Sequence, residues 1–155
     1  MLTTMNNLLL IAALAILAGA AIALQSALNS QLGMLLNSPL MASSIAFILS
    51  GIFSFSTLLL LKMPSITLTT VETIPLYLWF TGSLFSAFGV SMFFYLAPKI
   101  GLGSLMSYAL GGQIIMAIII SHFGWFNLPI KPLSITKVLG VVTLVMSITM
   151  INYER

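Results

Sequence analysis

The sequence predicts an all-α polytopic membrane protein, and three observations carry that reading. Hydrophobic residues make up 60% of the 155 positions and charged residues only 5%, against about a quarter charged in soluble domains. The mean hydropathy is +1.19. The ionised side chains, Lys62, Glu72, Lys99, Lys131, Lys137, Glu154 and Arg155, all fall between or after long apolar runs. Charge is costly in hydrocarbon, so it collects where a chain leaves the bilayer.

Five transmembrane spans are expected, at residues 8–28, 39–61, 75–97, 102–121 and 135–151 of a single five-helix domain over 1–155. Each lies near the ~20 residues that cross a ~30 Å hydrocarbon layer at 1.5 Å per residue. The first span competes with a signal-peptide reading, since Ala18 to Ala23 supply small residues after an apolar stretch. It lacks a basic leading segment, and polar positions continue through Gln25 and Asn29, which favours a retained span. The second opens on Ser38-Pro39, an N-cap followed by a first-turn proline. The third is expected to stop at Ala97-Pro98. The fourth carries Gly111-Gly112, a pair that weakens a helix and exposes backbone. The fifth, the shortest, follows Pro129 and Pro132 with Ser134 placed as its cap. Tyr77, Trp79 and Trp125 fall near one membrane interface, Tyr95 and Tyr153 near the other.

Five spans put the termini on opposite sides. Lys62, Lys131 and Lys137 then share the N-terminal side, with Lys99 and Arg155 on the other. Excess Lys and Arg on cytoplasmic loops normally sets orientation, and so even a division leaves two readings open, insertion both ways and a single topology fixed by one or two lysines. Many transporters join two inverted repeats around a mid-membrane site, an architecture that two oppositely inserted copies reproduce as an antiparallel homodimer. Small residues at helical spacing suit close packing: Gly19, Ala23 and Ala27; Ser43, Ser50, Gly51 and Ser54 with Phe47; Gly82, Ser86 and Gly89; Gly140, Thr143 and Ser147.

Several function classes are disfavoured. The net charge of +3 is too thinly spread for a nucleic-acid surface. With no Cys, no Asp and one His, paired-acid catalysis and clustered metal ligands lack their residues. Ser104, Ser107 and Ser121 lack a nucleophile motif around them. The expectation is therefore a non-enzyme without cofactor or metal.

Amides within spans carry the functional signal. Gln25 and Asn29 are one turn apart on the first span and share a face that Gly33 continues; Gln113 follows Gly111-Gly112 on the fourth. Such groups need partners in lipid and are expected to face the bundle interior, bonding between helices or recognising solute. Tyr108 and Trp79 are the aromatic additions to this substrate-binding set.

The run Leu24-Gln25-Ser26-Ala27-Leu28-Asn29-Ser30-Gln31-Leu32-Gly33, followed by Ser38-Pro39, Ala42, Phe47 and Gly51, resembles the first half of YdcZ-like proteins of the drug/metabolite transporter superfamily. Leu96-Ala97-Pro98-Lys99-Ile100-Gly101, Gly112-Gln113, His122-Phe123-Gly124, Pro132-Leu133-Ser134 and Gly140 resemble the second half. The resemblance implies a five-helix bacterial inner-membrane protein related to half of a ten-helix exporter. Many such relatives have an acid before the His-Phe-Gly run, where this chain has Ser121, which removes a carboxylate from that position.

Together these features predict a small-solute transporter, an exporter by resemblance, with alternating access at the midplane of a homodimer. Its partners are membrane lipids, a second copy of itself, and neutral, zwitterionic or amphipathic solutes, because no acid in the spans would balance a bound cation. Small-multidrug-resistance exporters are the alternative transporter class, but they have four spans and a glutamate in the first, which this chain lacks. A non-transporting structural or regulatory subunit is the other alternative. His122 is the remaining side chain of a type that titrates near neutrality, and the expectation is that it anchors a helix end.

Overall fold

The computed structural model describes the backbone of residues 2–61 and 67–153. Lys62, Glu154 and Arg155, which enter the charge count above, lie outside the described residues. The regular elements among the described residues are helical: α1 Leu2–Leu35, α2 Pro39–Leu60, α3 Leu68–Thr73, α4 Leu76–Ile100, α5 Leu102–Phe123 and α6 Ile135–Ile151, with a 3-10 turn at Trp125–Asn127. Asn7–Leu35, Pro39–Leu60, Leu76–Ile100 and Leu102–Phe123 are long and apolar enough to cross a membrane. At 17 residues, α6 is apolar but shorter, about 25 Å long.

Two boundaries depart from expectation. The first helix runs past Leu28 to Leu35, because polar side chains do not interrupt a backbone whose hydrogen bonds are internal. It ends where Asn37 takes φ 51, and the Ser38 hydroxyl accepts the Met41 N–H at 3.1 Å to cap α2. Likewise Pro98 lies inside α4, whose helix continues to Ile100. Gly101, at φ 77, makes the break before α5, in backbone space that a side chain penalises. The short α3 was not expected; the Thr67 hydroxyl caps it by accepting Thr70 N–H.

The chain divides into two compact units, Met1–Lys99 and Ile100–Arg155. In the first, burial concentrates on Ser26, Ser30 and Gly33 of α1, Ala42 and Ser43 of α2, and Ser91, Phe94 and Ala97 of α4. Ala42 and Phe94 are 0% and 1% exposed. Small residues let the backbones approach, and each serine finds a bond. Ser26 donates to Ile22 O, Ser30 to Ser26 O and Ser43 to Leu40 O. Most of the remaining apolar surface of α1 and α2 is exposed, as suits a solvent of lipid rather than water.

In the second unit α5 packs on α6. Gly111 is buried, and a Cβ there would meet Ile148 Cδ1 at 2.7 Å. The helix passes unbroken through Gly111-Gly112, so Gly111 serves close packing instead of opening the backbone. Val141, Leu144 and Ile148 are the half-buried line of α6, while Gly140, Thr143 and Ser147 stay exposed beside them. Gly124 closes α5 at φ 65.

Candidate functional site

In the first unit, a cleft of about 650 Å³ is lined by Phe47 of α2 and by Leu78, Gly82, Ser83, Ser86 and Ala87 of α4. Spacings of three, four and seven place Gly82, Ser83 and Ser86 on one face with Trp79. The cleft is open and mostly apolar, with two hydroxyls as its side-chain polar groups. Such a lining can hydrogen-bond a neutral polar group and contact apolar surface; it offers no ion pair. Farther along α4, Ser43 and Ser91 join α2 to α4 by a buried hydroxyl contact of 2.8 Å. At the helix end, Lys99 Nζ lies 3.7 Å from the centre of the Tyr95 ring, a cation–π contact.

The amides stand differently from expectation. Gln25 is exposed and Asn29 half-buried. The buried stripe of α1 runs through Ser26, Ser30 and Gly33, so Gly33 belongs with the serines rather than with Gln25. In the second unit Gln113 and Tyr108 are both exposed on α5. Within these units, then, Gln25 and Gln113 are not interior residues, and the fully buried polar residues among those described are serines. Ser26, Ser30, Ser83 and Ser91 are not among the residues the sequence predicts for the site. The available signal was serine recurring at helical spacing, which is also what ordinary packing produces.

The second unit has its own polar contacts. Ser107 Oγ donates to Ser104 O and accepts from Asn152 Nδ2 at 3.1 Å, linking α5 to the end of α6. Asn152 Nδ2 also donates to Ile148 O, while Asn152 Oδ1 is buried without a hydrogen-bond partner among the described residues. His122 Nδ1 accepts the Leu133 N–H at 3.1 Å, which pins the connection 124–134 to the end of α5. Among the described residues no group of three His, Cys, Asp or Glu is placed to hold a metal ion.

No curated protein and no solved structure matches the chain. A family model described as "Putative inner membrane exporter, YdcZ" matches residues 10–150. The match spans the buried serines of α1, the cleft of α4 and the α5–α6 pair. With several helices long and apolar enough to cross a bilayer, this chain is a multi-pass inner-membrane protein belonging to the YdcZ exporter family of the drug/metabolite transporter type.

Proposed function

We propose that the protein exports small solutes as an antiparallel homodimer, with α6 of each copy crossing the membrane as a fifth span beside the four longer helices. The observation that carries this reading is the open cleft of about 650 Å³ bordered by Phe47, Ser83 and Ser86, in a chain of an exporter family. Its openness suits a site that a second copy completes. Gln25 and Gln113, exposed within apolar helices, add support: an amide facing lipid needs a partner, and a second copy supplies one. The exposed Gly140, Thr143 and Ser147 line provides a face for close helix approach.

In this mechanism the two copies rock about a midplane cavity, opening it to each side in turn. Gln25, Asn29 and Gln113 supply amide contacts to the solute, and Trp79 and Tyr108 supply aromatic ones. The cleft lining contains no carboxylate, so neutral, zwitterionic and amphipathic solutes suit it best; Trp79 leaves cation–π contact available to cations. The arrangement is tested by C-terminal reporters active on one side of the membrane only. Signal from both sides is expected, and two or three lysines added beside Lys99 should leave one orientation. A single orientation in the unmodified chain would end the antiparallel arrangement.

A further inference from the structure

A second, smaller cleft of about 200 Å³ lies within the α5–α6 unit, lined by Ile114, Ala117, Ile118, Ser121, Lys131 and Lys137. Its lining changes character along α5. Ile114, Ala117 and Ile118 are apolar, whereas Ser121 sits near the end of the membrane-crossing helix Leu102–Phe123. The rise from Ile114 to Ser121 is about 10 Å, so the cleft leads from the helix end back along its apolar residues.

Lys131 and Lys137 belong to its polar end, and the chain holds the Lys131 backbone and the Lys137 ammonium group in place. Lys131 N–H donates to Ser121 O at 2.8 Å, fixing the Lys131 backbone against α5. Lys137 Nζ donates to Lys131 O at 3.0 Å and to Pro132 O at 2.8 Å. Lys137 N–H in turn caps onto Ser134 Oγ. The described residues of this unit contain no Asp or Glu. An apolar groove ending in two cations complements an amphiphile with an anionic head. In an inner-membrane protein that amphiphile is at hand in the surrounding leaflet.

We propose that this cleft binds one anionic phospholipid, its phosphate between Lys131 and Lys137 with Ser121 as a hydroxyl donor, and an acyl chain along Ala117, Ile118 and Ile114. This proposal does not rest on the proposed export function.

Native mass spectrometry of the full-length detergent-solubilised protein tests the proposal, with dioleoyl phosphatidylglycerol titrated against dioleoyl phosphatidylcholine. A preference of about thirtyfold for the anionic lipid is expected from two interfacial lysines. Lys131→Gln should lower it about fivefold, and Lys131→Gln with Lys137→Gln should abolish it, while Lys99→Gln leaves it intact. Because Lys137 also ties the connection together, Lys131→Gln keeps the test decisive if the double variant fails to fold. Ala117→Phe, which fills the groove and keeps both charges, should weaken retention of phosphatidylglycerol at least tenfold. Equal binding of the two lipids, an unchanged preference in Lys131→Gln, or unaltered retention in Ala117→Phe would overturn the proposal. Displacement of phosphatidylglycerol by millimolar inorganic phosphate would also overturn it, by assigning the cations to a soluble anion.

Discussion

Ser43 and Ser91 meet hydroxyl to hydroxyl at 2.8 Å, joining α2 to α4 where both side chains are buried. Ser43 has already given its proton to Leu40 O, so Ser91 is the donor between them. This bond directly couples α4, which carries most of the cleft, to the serine-lined packing of α1 and α2. Ser91→Ala removes the coupling without stranding a donor. The expected loss of stability is about 0.6 kcal/mol, the average for an interhelical hydrogen bond in a membrane. Denaturant unfolding in micelles, run as a double-mutant cycle with Ser43→Ala, measures it; a coupling of zero would mean that the pair contributes nothing to this junction.

Gly124 gives a sharper stability test. Its φ is 65, and a Cβ there would lie 2.6 Å from Ile130 Cγ1. Gly124→Ala should therefore cost about 1–2 kcal/mol from backbone conformation, with the displacement of Ile130 added. Gly103, in α5 with open space around its Cα, is the control: Gly103→Ala should be neutral or stabilising by up to about 1 kcal/mol. Equal melting temperatures for the two variants would contradict the conformational account.

Gln113 separates recognition from packing. It is exposed on α5, so Gln113→Leu removes no buried contact of its own unit. Solute flux should fall severalfold while unfolding shifts by no more than about 0.6 kcal/mol. Flux at the unmodified rate would remove Gln113 from the site. The same comparison applies to Gln25 and Asn29, singly and together, since neighbours on one face share contacts and need not act additively.

His122 is expected to hold structure rather than carry protons. Its Nδ1 accepts the Leu133 N–H, a contact that a glutamine carbonyl can replace. His122→Gln should keep most transport and leave its response to an imposed pH gradient unchanged. Complete loss of gradient-driven flux in a folded variant would assign His122 to coupling.

The sequence was most legible where residues constrain the backbone. Ser38-Pro39 begins α2 and Ser134 caps α6 because a hydroxyl cap and a proline act locally. Pro98 misled by part of a turn: its fixed φ suits a helix, and the chain turns only at Gly101. The first span is expected to end at Leu28, yet the helix continues to Leu35 because its backbone satisfies its own hydrogen bonds. The interior was harder to read. Amides attract attention chemically, whereas the buried polar residues are serines bonded mainly to their own helices, a pattern shared with any small-residue packing face. The lipid cleft was also hidden, since Lys131 and Lys137 meet Ala117 and Ser121 only after the connection 124–134 folds back.

The most direct test of the central claim is solute flux in proteoliposomes containing the purified full-length protein, across a panel of neutral, zwitterionic, amphipathic and cationic compounds. The account predicts saturable flux of at least one neutral, zwitterionic or amphipathic solute, absent from protein-free vesicles. At low protein-to-lipid ratio, flux should rise with the square of protein density, because two copies form one pathway. Absence of flux for every compound, from folded protein inserted in both orientations, would contradict it.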